Sequence, residues 1–218
     1  MQTSPEFKTL HIVDHPLVQH KLSALRETSC PFGTFRRLLG EISMLMAYEL
    51  TASMPLTTRH IETPLTGMDA PTLKNENAVL VPILRAGLGM VDGLMKVLPD
   101  AVIGHIGLYR DEETHRPVEY LVRLPKKMPA GTPYILIDPM LATGNSARYA
   151  TDILVREGVS PSDIRLMTLV SAPEGVKEYS SAHPDVAIFT AALDSHLNDK
   201  AYIVPGLGDA GDRVFGTL

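Results

Sequence analysis

The chain reads as an α/β protein, one domain with a mainly parallel central sheet flanked by helices. From residue 78 onward, short apolar runs alternate with amphipathic segments, the pattern of strands and crossover helices in a sheet covered on both faces. Before that point apolar residues recur at helical spacing. The length of 218 residues lies between one large domain and two small ones, and no internal repeat or low-complexity tract divides it.

The helical segment runs from Pro16 through Leu22 and Leu25. It resumes at Phe32 with Phe35, Leu38, Leu39, Ile42, Leu45 and Met46 as one buried stripe. Thr51 to Asn77, with Pro55, Pro64 and Pro71, lacks a long period and reads as an edge excursion, a loop with room for a short hairpin. Strands are expected at Ala78 to Leu84, Ala101 to Tyr109, Tyr134 to Ile137, Ile164 to Ser171 and Val186 to Ala192. Helices fit Gly89 to Leu98, Ser146 to Glu157 and Glu174 to His183. The single domain 1–218 thus has an N-terminal part (1–77), a core (78–195) and a terminal segment (196–218). In parallel sheets ligands bind beyond the carboxyl ends of strands, so residues just after each apolar run are the places to look for chemistry.

Composition narrows the function. With 44% apolar and 21% charged residues the chain can build a core. A net charge of -5 offers no broad basic surface for nucleic acid, although a local pocket for a small phosphorylated ligand is compatible with it. Cys30 is the sole cysteine, which excludes an intrachain disulfide and a cysteine metal cluster and fits a reducing, cytoplasmic setting. The N-terminus lacks the basic-then-apolar pattern of a secretory signal. Ala78 to Val91, the most apolar run, is interrupted by Arg85 and falls short of the roughly 20 residues of a membrane span.

The chemistry concentrates where the Tyr134 strand ends. Asp138 is followed by Pro139, Met140, Leu141 and Ala142, then by Thr143, Gly144, Asn145 and Ser146 opening a helix. Helix-start N–H groups lack intrahelical acceptors and attract anions, so this loop is a prospective phosphate cradle with Asp138 beside it for sugar hydroxyls. The plainer alternative has Thr143 or Ser146 capping the helix and Asp138 closing a turn. No lysine follows the glycine at Walker spacing.

Arg85 and Arg110 fall at two other strand ends, where guanidiniums can converge on one anion at roughly 1.5 to 3 kcal/mol per charge-assisted hydrogen bond. As surface ion pairs they would contribute only about 0 to 1 kcal/mol. Gly206, Gly208 and Gly211 shape a terminal loop, and Tyr202, Ile203, Val214 and Phe215 make it too apolar for a solvated tail. The charged run from Arg110 to Arg116 fits either a solvated hairpin or a mobile lid. His11 and His15 precede Pro16 without a zinc-motif glutamate and read as structural, and Met44 and Met46 read as packing. Ser171 lacks the glycines of a nucleophile elbow.

The Asp138 to Ser146 segment resembles the phosphoribosyl-pyrophosphate signature of type I phosphoribosyltransferases. Pro139 stands where that signature usually carries a second acid, a form similar to that of the uracil phosphoribosyltransferases. Val81 to Met90 resembles that family's pyrophosphate loop, Leu108 to Thr114 the start of its mobile arm, extending over 110–125, and Tyr202 to Thr217 its uracil-binding segment. With Val170 to Gly175 and His15 to Val18, the resemblance covers nearly the whole chain.

The resemblance implies a type I phosphoribosyltransferase-like fold with a C-terminal base-binding hood. The implied reaction joins uracil to phosphoribosyl pyrophosphate, giving UMP and pyrophosphate in pyrimidine salvage. Arg85, Arg110, Asp138, Pro139, Met140, Leu141, Ala142, Thr143, Gly144, Asn145, Ser146 and Asp209 would bind phosphoribosyl pyrophosphate. Arg85, Arg110 and Asp209 would serve catalysis, and Ile203, Gly208, Asp209 and Ala210 would surround uracil. Asp209 has two open roles, holding metal-bound water or helping to remove the N1 proton. Tyr202 is either a pocket wall or an ordinary strand-end aromatic. Mg²⁺ would be carried mainly by pyrophosphate and water, with no dedicated protein cage. GTP activation and a homodimer or larger assembly are further implications. A different class, a pyrimidine-sensing RNA-binding regulator on the same fold, would show salt-dependent RNA binding without turnover.

Overall fold

The computed structural model describes residues 1–110 and 117–217. Two short strands, β1 (Gln2–Thr3) and β2 (Leu10–Ile12), precede α1 (Pro16–Arg26) and α2 (Phe32–Thr51). A hairpin of β3 (Leu56–Glu62) and β4 (Gly67–Leu73) leads to β5 (Val79–Leu84), α3 (Leu88–Met95), β6 (Val102–Ile103), β7 (His105–Arg110) and β8 (Pro117–Arg123). Then follow β9 (Tyr134–Ile137), β10 (Met140–Leu141), α4 (Asn145–Arg156), β11 (Ile164–Ser171), α5 (Pro173–Ala182) and β12 (Ala187–Leu193). The chain closes with β13 (His196–Leu197), β14 (Ile203–Val204) and α6 (Ala210–Phe215).

The helices form where the sequence supplies both a start and a stripe. Pro16 occupies the first turn of α1, His15 Nδ1 accepts the Leu17 N–H at 3.2 Å, and Val18, Leu22 and Leu25 are buried. In α2 the buried face is Phe35, Leu38, Leu39, Ile42 and Met46. The structural reading of the N-terminal histidines holds, since His15 caps α1 and the His11 ring stacks on Phe189 at 5.0 Å.

The main sheet runs β1-β2-β12-β11-β9-β5-β7-β8. It is parallel from β2 to β7 and antiparallel at its margins, β1 with β2 and β7 with β8. Its central strands are buried on both faces, which is why they read as unbroken apolar runs. In β9, Ile135 and Ile137 join the core under α1, α2 and α3, while Tyr134 and Leu136 join the core under α4 and α5. Taken in chain order, β5, β7, β9, β11 and β12 are arranged with β7 outside β5 and the rest in succession on the other side. The winding therefore reverses between β5 and β9, and beyond their carboxyl ends lies the crevice where such sheets bind ligands.

Three expectations change in detail. The first third is not purely helical, because β2 pairs in parallel with β12 and extends the sheet. The strand expected from Ala101 to Tyr109 breaks at Gly104 into β6 and β7, both paired with β5. The excursion after α2 is a full hairpin, registered from Leu56↔Leu73 to Glu62↔Gly67, with Thr63 Oγ1 donating to the Thr66 carbonyl at 2.8 Å across its turn.

Candidate active site

The loop after β5 begins at Arg85 through a cis Leu84–Arg85 peptide and turns at once, Ile83 O accepting the Gly87 N–H at 3.0 Å. Gly87 lies so near β9 that a β-carbon there would collide with the Ile137 carbonyl. The Arg85 loop and the end of β9 are thus in contact at the winding reversal. Arg85 is exposed, with its guanidinium carbon 5.6 Å from the centre of the Phe215 ring of α6. Arg110 is the last residue of β7, three positions past the Gly107 that pairs with Leu84. Positions 111–116 of the expected arm lie outside the described residues.

β9 delivers Asp138 to the same edge. Its N–H donates to Met167 O at 3.2 Å, and its Oδ1 accepts the Met140 N–H at a long 3.4 Å. Burial pushes the Asp138 carboxyl up to about 7, partly opposed by that N–H. β10 then pairs with β11, and the chain passes Ala142 and Thr143 to Gly144, which caps α4 with φ of 84°. No side chain among the described residues caps this helix. Gly144 thus takes the cap position in place of Thr143 or Ser146, and the first N–H groups of α4 have no side-chain partner among the described residues. The turn alternative for Asp138 survives only as the long bond to Met140.

Two contacts join this loop and the helix it opens to α5: the Ala172 N–H donates to Leu141 O at 2.9 Å, and Arg148 of α4 meets Glu178 at 2.6 Å. α5 also carries Glu174, whose Oε1 accepts the Leu197 N–H of β13 at 3.0 Å. That hydrogen bond holds the Glu174 carboxyl below its usual range.

The terminal segment closes the edge from the other side. Ile203 and Ala210 are buried, Gly208 has φ of 77°, and Tyr202 is exposed. Asp209 caps α6, its Oδ1 accepting the Asp212 N–H at 3.0 Å. Contacts with residues far away in sequence anchor this segment, and sequence reasoning missed them. Arg213 donates to Leu207 O at 2.8 Å and to Glu27 O at 2.6 Å, with its guanidinium 4.5 Å over the Phe35 ring. Arg36 donates to Val214 O at 2.9 Å, and Arg26 and Asp194 hold Gly206. No local motif marks Arg26, Arg36 or Asp194, because their partners are set by the tertiary fold.

The strand-end loops after β5 and β9 and the terminal segment thus gather on the carboxyl edge of the sheet. Arg85, Asp138 and the loop from Pro139 to Ser146 stand there with Asp209 and Ala210. The arrangement offers a cation, an uncapped helix start, an acceptor with a raised pKa and a backbone-rich loop, the parts needed to grip a sugar phosphate beside a flat neutral ring.

The family described as uracil phosphoribosyltransferase matches residues 12–217. The uracil phosphoribosyltransferase of Rhodospirillum centenum is 60% identical over 217 residues, covering 100% of both chains. That of Paraburkholderia phymatum is 54% identical over 217 residues, 100% of this chain and 99% of its own. Among solved structures, the AQ2163 protein from Aquifex aeolicus superposes with a TM-score of 0.87 at 34% identity, covering 94% of this chain and 97% of that one.

Proposed function

The chain belongs to the uracil phosphoribosyltransferase family, and from that membership we propose how its residues divide the work of the reaction. The protein is a pentosyltransferase of pyrimidine salvage that joins uracil to phosphoribosyl pyrophosphate and releases UMP and pyrophosphate. As the bond from C1 of the ribose to pyrophosphate breaks, C1 takes on oxocarbenium character and uracil N1 bonds to it, losing its proton. The protein's tasks are to neutralise the departing anion, hold the sugar and aim the base.

The 5-phosphate binds in the Pro139 to Ser146 loop, against the N–H groups that open α4. The observation that carries this assignment is a helix start at the winding reversal with no side-chain cap. Asp138 accepts from ribose hydroxyls, and Arg85 and Arg110 neutralise pyrophosphate. Ile203, Gly208, Asp209 and Ala210 surround uracil, whose acceptor-donor-acceptor edge a fixed backbone can match without charged side chains. Mg²⁺ bound to pyrophosphate would add charge neutralisation of the leaving group. Asp209 fits contact with a metal-bound water, since only one of its two carboxylate oxygens is engaged in capping α6. GTP activation rests on family resemblance, and a cytoplasmic location on the reducing setting that a lone cysteine fits. No helix among the described residues is long and apolar enough to cross a membrane.

We also place the chain in a homodimer or larger assembly. The β3–β4 hairpin stands outside the main sheet and exposes Leu56, Leu65 and Met68, whereas an isolated two-stranded ribbon is marginal in water. The test of function is nucleotide formation with Mg²⁺, phosphoribosyl pyrophosphate and uracil, cytosine or hypoxanthine, run with and without GTP. UMP from uracil alone is expected. Equal turnover of another base would overturn the base assignment.

A further inference from the structure

Arg26, near the end of α1, and Asp194, just past β12, form an ion pair that also grips one peptide of the terminal segment. Arg26 Nη2 meets Asp194 Oδ1 at 2.7 Å and Nη1 meets Oδ2 at 2.7 Å, a two-pronged match of guanidinium to carboxylate. The same Nη1 donates to Gly206 O at 2.6 Å, and the Gly206 N–H donates to Asp194 Oδ2 at 3.0 Å. Both backbone groups of Gly206 are thereby satisfied by one charge pair. The Asp194 side chain is only 5% exposed, and its own N–H donates to Ser171 O at 2.8 Å, so the clamp is fixed to the sheet's carboxyl edge.

What the clamp holds is a turn that has no freedom to reshape. Gly206 has φ of 62°, and a β-carbon there would collide with the Ile203 carbonyl. Two residues later Gly208 is again left-handed, and Asp209 and Ala210 begin α6. The direction in which the 208–210 backbone faces is therefore set from Gly206. The pair carries no net charge, which suits a neutral base, and it occupies the Gly206 N–H and C=O, so base recognition falls to the backbone further along.

We propose that Arg26 and Asp194 are positioning residues for base recognition, fixing the Gly206 turn so that the 208–210 backbone is aimed at uracil. The proposal rests on reading residues 203–210 as the base-binding segment. Lysine at position 26 keeps the charge but cannot bridge both Asp194 oxygens and the Gly206 carbonyl in one plane. In Arg26→Lys the KM for uracil is expected to rise roughly 10- to 100-fold, the scale of a small displacement of a reacting group, with the KM for phosphoribosyl pyrophosphate within about twofold. Asp194→Asn keeps an acceptor for the Gly206 N–H and carries the same expectation should the lysine variant not fold. Because both residues act through one turn, the double variant should raise the uracil KM no further than the worse single one.

Gly208→Ala serves as the control, since it strains the base segment directly. An unchanged uracil KM in folded Arg26→Lys and Asp194→Asn, with a raised one in Gly208→Ala, would sink the clamp while leaving the base segment in place. No change in any of the three would sink the base-segment reading itself. A parallel rise of both KM values with a lowered Tm would reduce the pair to a structural contact and overturn the proposal.

Discussion

Asp138 is a carboxylate whose burial makes the folded protein hold its proton more tightly than the unfolded chain does. With a pKa near 7 against an ordinary 3.8, its contribution to stability is fully present below about pH 4 and is lost as pH rises toward 7. In denaturant melts Asp138→Asn should therefore show a flatter stability between pH 4 and 7, and should exceed the parent above pH 7. An identical pH slope in parent and variant would contradict the assignment. Ribose hydroxyls donating to Asp138 favour its ionised form. The same variant should lose roughly 10- to 150-fold in kcat/KM for phosphoribosyl pyrophosphate, the equivalent of one charge-assisted hydrogen bond of about 1.5 to 3 kcal/mol. Arg85 separates function from fold: it is exposed and touches Phe215, so Arg85→Ala should leave Tm nearly unchanged while turnover falls, and full turnover would remove it from the mechanism. At Asp209, asparagine keeps the α6 cap and deletes only the charge. Asp209→Asn should thus cost more activity than Asp212→Asn, whose carboxylate accepts from Thr217 Oγ1 at 2.6 Å, and equal activities would defeat the terminal-segment assignment.

At the scale of elements, the sequence was most legible where burial is two-sided. β5 and β9 announce themselves as continuous apolar runs and β11 as a mostly apolar one, and the loops after β5 and β9 could be located because chemistry-bearing residues follow those runs directly. The short strands β1 and β2 carry too few residues to show a period, and they exist because β12 offers a free edge. The hairpin was under-read because its prolines and polar residues mask alternation, while its pairing is enforced by register and turn. The phosphate loop makes its own prediction. Gly144 sits at φ of 84°, so Gly144→Ala forces a left-handed alanine that costs about 1 to 2 kcal/mol, lowers Tm and raises the KM for phosphoribosyl pyrophosphate. An unchanged Tm and KM would show that this loop tolerates a side chain and does not approach a ligand closely.

Over the whole molecule, what remained illegible is what joins distant segments. Arg26 and Asp194 are 168 positions apart, and Arg213 meets Glu27 across 186; such partners follow from topology, which no local pattern encodes. The hairpin belongs to this scale as well. Replacing exposed Leu65 and Met68 by glutamate should shift light-scattering mass toward the monomer without loss of circular dichroism, and an unchanged mass would detach the hairpin from assembly. One helix has a role that only the assembled molecule reveals. α5 is bonded at its start to the β10 end of the phosphate loop and, through Glu174, to the ribbon that leads into the base segment. Mechanically the two halves of the site hang from one beam. A disturbance at the start of α5 therefore reaches both halves at once.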